Sequence, residues 1–255
     1  MVRPIAATGS DRDLLIVTGL IAQPGGRLTH APDTYAASLR QLVATGLPTL
    51  LYLDAALPPP LVAPNLRVER VRYDDLATVG AAAGHELTLP AERNPAKDTA
   101  AYLALVNAKS ELILRAHATG HRADRYAWVD AGLFRTIADV PLAQRRLRRL
   151  AGLDAGSVWM PGCLDTASGS LERVDWRFCG GFFAGGDWAM LDLCQRHVRL
   201  VRELLPRRTW EVDAWALLEQ RGEIRPRWYA ADHDDRILAV PDEAFPGPGG
   251  VLAAE

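Results

Sequence analysis

An aspartate that closes a buried strand is badly placed for packing and well placed for holding a ligand. Asp130 follows directly on residues 126–129, four apolar residues inside the stretch DRYAWVDAGLFR (124–135), and is itself followed by Ala131 and Gly132. In open α/β sheets ligands bind beyond the carboxyl ends of the strands. An unpaired carboxylate is costly to bury, so such a residue needs a partner. The competing reading is that Asp130 only caps a following helix. A second stretch, RFCGGFFAGGD (177–187), sets two glycine pairs on either side of Phe182 and Phe183. Gly180 and Gly181 leave room beside a ligand, and the phenylalanines can wall a sugar or a base; alternatively the segment is a buried strand with bulges. Glu211 and Asp213 fall in the first turn of a predicted helix. They read as a general base or an anchor for a substrate hydroxyl, or simply as acids favoured by the helix dipole. His233 stands among Asp232, Asp234 and Asp235, a pattern that can ligate a divalent cation or form an exposed acidic turn.

The cations are biased. Nearly all are arginine, and the only lysines are Lys97 and Lys109. Against a background rich in alanine and arginine, as a GC-rich genome gives, a lysine marks a place where a compact point charge is wanted. Arg72, near the end of a predicted strand, can meet a phosphate or a base, or lie on the surface. Four arginines at 145, 146, 148 and 149 read as the solvated face of a short amphipathic helix.

These residues need a frame. Residues 13–20 (DLLIVTGL) form a short apolar run ended by Thr18 and Gly19, and residues 49–54 (TLLYLD) form another; a helical pattern over 34–44 joins them into a right-handed βαβ unit. Residues 66–73 alternate as a third strand, and 84–94 read as a loop. Residues 97–120 read as a long helix stopped by Gly120. On it Asp98, Tyr102, Leu105 and Lys109 share one stripe, which reads first as a half-solvated face and second as a cleft wall. Helical patterns over 140–150, 188–205 and 208–222, with a possible strand at 157–160, complete the frame. There is neither a GxGxxG turn nor a GxxxxGK[ST] loop, which removes weight from dinucleotide and P-loop chemistry.

Composition narrows the class further. At 255 residues, 49% hydrophobic and 24% charged, the chain suits one large α/β domain or two small ones. A net charge of −2 gives no global field for nucleic acid. No apolar run is long enough to span a bilayer, and the first 20 residues lack a signal peptide's apolar segment, so a cytoplasmic protein is expected. Three cysteines, Cys163, Cys179 and Cys194, with no CxxC spacing, argue against a disulfide framework or a thiolate zinc site.

Four blocks carry a resemblance. IVTGL at 16–20, YLALVNAKSELILRA at 102–116, YAWVDAG at 126–132 and CGGFFAGG at 179–186 resemble the bacterial HtrL/YibB (WlaTC-like) proteins, which in turn resemble nucleotide-sugar glycosyltransferases of the GT-A fold. YAWVDAG followed by CGGFFAGG is the most specific combination. The resemblance implies a mostly parallel central sheet flanked by helices over residues 1–240, with a Pro/Gly-rich tail at 241–255. It implies that Thr18 and Gly19 border the nucleotide base. Asp130, with Ala131 and Gly132, takes the metal or diphosphate position of an Asp-x-Asp motif. Gly180, Gly181, Phe182 and Phe183 lie by the donor sugar and acceptor, Glu211 and Asp213 on the acceptor side, and His233 on the metal. Position 132 is glycine, so the motif is reduced to one aspartate. Because Mg²⁺ held by one carboxylate must draw its other ligands from phosphate and water, Arg72 or Lys109 becomes a candidate for part of the diphosphate charge. The expected function is transfer of a sugar from a nucleotide-sugar donor to a hydroxyl of a glycan or small molecule, with Mn²⁺ or Mg²⁺ as the implied cofactor. The alternatives are a non-catalytic nucleotide- or sugar-binding protein on the same scaffold and, further off, a nucleotidyltransferase.

Overall fold

The computed structural model describes residues 13–245; the first 12 residues and most of the Pro/Gly-rich tail lie outside the described residues. In chain order the elements are β1 (Leu15–Leu20), α1 (Pro32–Val43), β2 (Thr49–Asp54), β3 (Leu66–Val71), the short α2 (Ala77–Gly80), α3 (Ala100–Ala118), β4 (Arg125–Val129), α4 (Val140–Arg149), β5 (Val158–Gly162), β6 (Phe182–Gly186), α5 (Asp187–Glu203), α6 (Glu211–Gln220) and β7 (Arg227–Ala230). The strands form one seven-stranded sheet in the order β3-β2-β1-β4-β6-β5-β7. Only β6 runs against its neighbours β4 and β5; every other pairing is parallel. This is the α/β architecture expected, a mostly parallel sheet between helices.

Strand residues alternate between two cores. Val17, Leu50, Trp128 and Phe183 pack under α3, α5 and α6. Ile16, Leu51, Val129 and Phe182 pack under α1 and α4. Burial on both faces explains why β1, β2 and β4 read as unbroken apolar runs rather than alternating ones.

The reversed strand creates the site. A parallel strand delivers its C-terminal flank to the carboxyl edge of the sheet, whereas β6 delivers its N-terminal flank there. Val129 is therefore in register with Phe182, and the backbone N–H of Asp130 donates to the carbonyl of Gly181 at 2.9 Å. The two stretches singled out from the sequence meet end to end for this reason.

One element boundary differs from the sequence expectation, and one strand has no counterpart there. The long helix begins at Ala100 because the Thr99 hydroxyl caps it, accepting from the Tyr102 N–H at 3.1 Å, which leaves Lys97 and Asp98 in the preceding turn. β7 was not legible: its four residues form an edge strand with burial on too few positions to show a period. Of the expected tail, Asp242–Ala244 forms one short 3₁₀ turn with Ala244 buried. No helix among the described residues is long and apolar enough to cross a membrane.

Candidate active site

A buried ammonium ties the carboxyl edge together. Lys109, from the middle of α3, donates to the Gly180 carbonyl at 2.7 Å and to Glu211 Oε1 at 2.8 Å, and its Nζ lies 3.1 Å from Asp130 Oδ1. All three ammonium protons thus have an acceptor. Burial alone would lower the pKa of Lys109, but the charges of Asp130 and Glu211 outweigh it and hold the group above its ordinary value. Asp130 Oδ1 also accepts from the Trp128 indole at 2.6 Å. The Asp130 side chain does not cap the next turn. Side-chain exposure separates the roles: 7% for Lys109, 6% for Glu211 and 39% for Asp130. Asp130 is the member that a ligand can reach. Gly180 is required by the cluster itself, since a β-carbon there would run into the Glu211 carboxylate.

A second polar layer sets α6 against α3 and so places Glu211. Asn107 donates to the Thr209 carbonyl at 2.8 Å, two residues before Glu211. His197 bridges Ser110 Oγ at 2.8 Å and Asn107 Oδ1 at 3.1 Å. As the Asn107 oxygen only accepts, His197 Nε2 carries the proton and Nδ1 accepts from Ser110. Burial, and secondarily the charge of Lys109, lowers its pKa to about 3, so it stays neutral. Asp213, expected on the acceptor side, belongs to this layer and not to the cleft wall. Its Oδ1 accepts from the Asp175 N–H at 2.7 Å and its Oδ2 pairs with the Thr209 hydroxyl at 2.8 Å.

Burial raises the Asp213 carboxyl from 3.8 to about 7. A group whose folded pKa lies above its unfolded value adds stability that is complete below the unfolded pKa and is lost as pH rises through the folded one. Stability should therefore fall between about pH 4 and pH 7, by at most roughly 4 kcal/mol at 1.4 kcal/mol per pKa unit. Asp213→Asn keeps an acceptor for Asp175 and turns a donor toward Thr209. Urea midpoints from pH 4 to 8 should decline for the natural protein and stay level for this variant. A parallel decline in both would show that another group titrates.

Above the floor opens a cleft of about 570 Å³. Gly19 from the end of β1, Tyr102 and Leu105 from α3, Gly132 and Trp210 are among its walls. The stripe of Tyr102, Leu105 and Lys109 on α3, with Asp98 from the turn before it, is thus a cleft wall, the second of its two sequence readings. Tyr35 packs against Gly132, where a β-carbon would come within 3.3 Å of the ring. One rim is cationic: Arg27, Lys97 and Arg135 border the cleft and make no ion pair among the described residues. His30 also borders the cleft, its pKa lowered by partial burial and then by the charges of Arg135 and Lys97.

The sequence candidates divide cleanly. Gly19, Lys109, Asp130, Ala131, Gly132, Gly180, Gly181, Glu211 and His233 all border the cleft. Thr18 does not: it is fully buried within β1. Arg72 does not either; it is exposed and pairs with Asp75 at 3.0 Å, where it closes a 3₁₀ turn. Phe182 and Phe183 are fully buried in the two cores, Phe183 edge-on to Trp215 at 4.9 Å, so neither walls a substrate. A strand paired on both sides turns successive side chains into opposite cores, and only the glycines before it reach the edge. Arg27, Tyr35, Arg135, Trp176 and Trp210 were missed. Of these only Arg135 carried a signal, as the last residue of the Asp130 stretch.

No family model matches this chain, the HtrL/YibB resemblance included, and no curated protein matches it. Among solved structures it is similar to a crystal structure of 4-diphosphocytidyl-2C-methyl-D-erythritol synthase, with 11% identity and a TM-score of 0.42 over 87% of this chain and 89% of that one. It is also similar to 4-diphosphocytidyl-2C-methyl-D-erythritol synthase from Anaerococcus prevotii DSM 20548, with 8% identity and a TM-score of 0.39 over 87% and 90% of the two chains.

Proposed function

We propose that the cleft takes a nucleoside-diphosphate-linked substrate and that the protein is a transferase, specifically a glycosyltransferase moving the sugar to a hydroxyl acceptor. One observation carries the reading: a single reachable carboxylate, Asp130, is fixed by Lys109 and Trp128 on the floor of a cleft whose rim bears three cations without acidic partners among the described residues. Trp210 and the Tyr102–Leu105 wall offer apolar surface for a base or sugar.

The residues around Asp130 do not fit a divalent cation. Lys109 already fills the space between the two carboxylates, Glu211 has its charge turned to Lys109, and a hard cation needs several oxygen ligands. Fixed ammonium and guanidinium groups supply the electrostatic stabilisation instead. In the transfer, the acceptor oxygen forms a bond to the anomeric carbon as that carbon's bond to the diphosphate oxygen breaks. The nucleoside diphosphate leaves with the electron pair, held by Arg135, Lys97 and Arg27. Asp130 Oδ2, the oxygen not engaged by Trp128, takes the acceptor proton.

The test is incubation with a panel of nucleotide sugars and simple acceptors, read by mass spectrometry. Nucleoside diphosphate release with a glycosylated product is expected, at a rate unchanged by added Mg²⁺ or Mn²⁺. Pyrophosphate formed from a nucleoside triphosphate would make the protein a nucleotidyltransferase, and binding without turnover would make it a binding protein. Arg135→Ala should weaken nucleoside diphosphate binding by about tenfold in calorimetry, the scale of one charge-assisted contact. Unchanged affinity would remove the rim from the site.

A further inference from the structure

We propose that Cys163, Cys179 and His233 form a zinc site on the rim of the cleft, distinct from the Asp130 cluster. One ligand atom from each of the three lies within 4.8 Å of the others. The two sulfurs are 3.6 Å apart. Two thiolates on one tetrahedral zinc, each at about 2.3 Å, sit roughly 3.8 Å apart, whereas a disulfide needs about 2.05 Å. The Asp232 carboxylate lies 3.3 Å from His233 Nδ1 and 3.7 Å from Cys163 Sγ. It provides the oxygen neighbour that commonly orients a metal-bound histidine or completes the set.

The fold explains why no sequence spacing announced this. Cys163 follows β5, His233 follows β7, and those strands pair in parallel with Gly162 opposite Ala230. Cys179 precedes the reversed strand β6. All three therefore fall at the same sheet edge, although 16 residues separate the cysteines and 54 separate Cys179 from His233. The lack of a CxxC spacing, which in the sequence argues against a thiolate zinc site, does not bear on ligands that three separate segments bring together.

Backbone bonds hold the set in place without a metal. The Cys163 N–H donates to the Trp176 carbonyl at 2.9 Å, the Cys179 N–H to the Pro161 carbonyl at 2.7 Å, and the Ala231 N–H to the Gly162 carbonyl at 2.9 Å. Cys163 and His233 are exposed, which gives a metal a way in, while Cys179 is buried. Two sulfurs and an imidazole select zinc over hard cations such as Mg²⁺. His233 also meets the Trp176 ring edge-on at 4.7 Å, and both border the cleft. A metal here would clamp the segment after β7 to the wall that carries Trp176.

Cobalt(II) titration of the reduced, metal-stripped full chain tests the site. One equivalent should bind, with the absorption of tetrahedral cobalt and a near-ultraviolet thiolate charge-transfer band, and zinc should displace it. Cys163→Ser should cut the charge-transfer intensity by about half. His233→Ala should keep that band but weaken cobalt binding by more than about tenfold, a scale already met for changes to supporting groups. Both replaced side chains are exposed, so loss of the fold does not stand in the way. A reduced natural protein with no thiolate band, or variants that bind cobalt as it does, would overturn the site. So would preferential closure of a Cys163–Cys179 disulfide in the presence of metal. None of these readouts depends on transferase activity.

Discussion

Lys109→Met should destabilise the protein by about 3–5 kcal/mol, the cost of leaving a buried charge without its partner. The substitution keeps most of the stem volume and removes the ammonium, so packing loss is a minor part. Glu211, with 6% of its side chain exposed, would lose its cation partner, and the Gly180 carbonyl would lose the donor at 2.7 Å. Asp130 contributes less to the loss, because a side chain 39% exposed recovers water when its partner goes. Urea unfolding of the single variant, of Glu211→Gln and of the pair measures the coupling. The double variant should recover much of the loss, since replacing both members of a buried pair costs far less than orphaning one. A Lys109→Met protein with a natural midpoint would mean that the ammonium does not organise the edge of the sheet.

The elements around this lysine were legible to different depths. β1, β2 and β4 declared themselves as apolar runs because both sheet faces are covered. Asp130 stood out as a charge directly after such a run, and Lys109 because arginine is the default cation elsewhere in the chain. What could not be read was the partnership. Lys109 and Glu211 are 102 residues apart, and periodicity reports which side of a helix is apolar without saying what faces it. The polar residues of the α3 stripe therefore resembled a solvated surface while in fact bordering a cleft. In the sequence the double glycine of 180–181 reads as room beside a ligand; in the structure the group that comes up against Gly180 is the protein's own Glu211. Phe182 and Phe183 do not wall the cleft because the sheet is covered on both faces and takes one into each core, a property of the whole fold. Arg72 illustrates a simpler limit: an exposed arginine three residues before an aspartate satisfies itself locally.

Asp130→Asn should reduce transfer by about 10²–10⁴-fold while leaving the fold intact. The amide oxygen can still accept from the Trp128 indole and from Lys109, so the side chain keeps its place on the floor. The lost charge is partly exposed and weakly worth its ion pair, so thermal stability should change little. What disappears is the basic oxygen at Oδ2, which an amide nitrogen cannot supply. This separates Asp130 from Glu211. Glu211→Gln removes a buried carboxylate that Lys109 holds at 2.8 Å, so any loss of rate there should come with a shift in unfolding midpoint. If the two variants instead lose rate and stability together, Asp130 acts only as a brace for Lys109. If Asp130→Asn turns over like the natural protein, the proton goes elsewhere and the cleft's one reachable carboxylate is not its base.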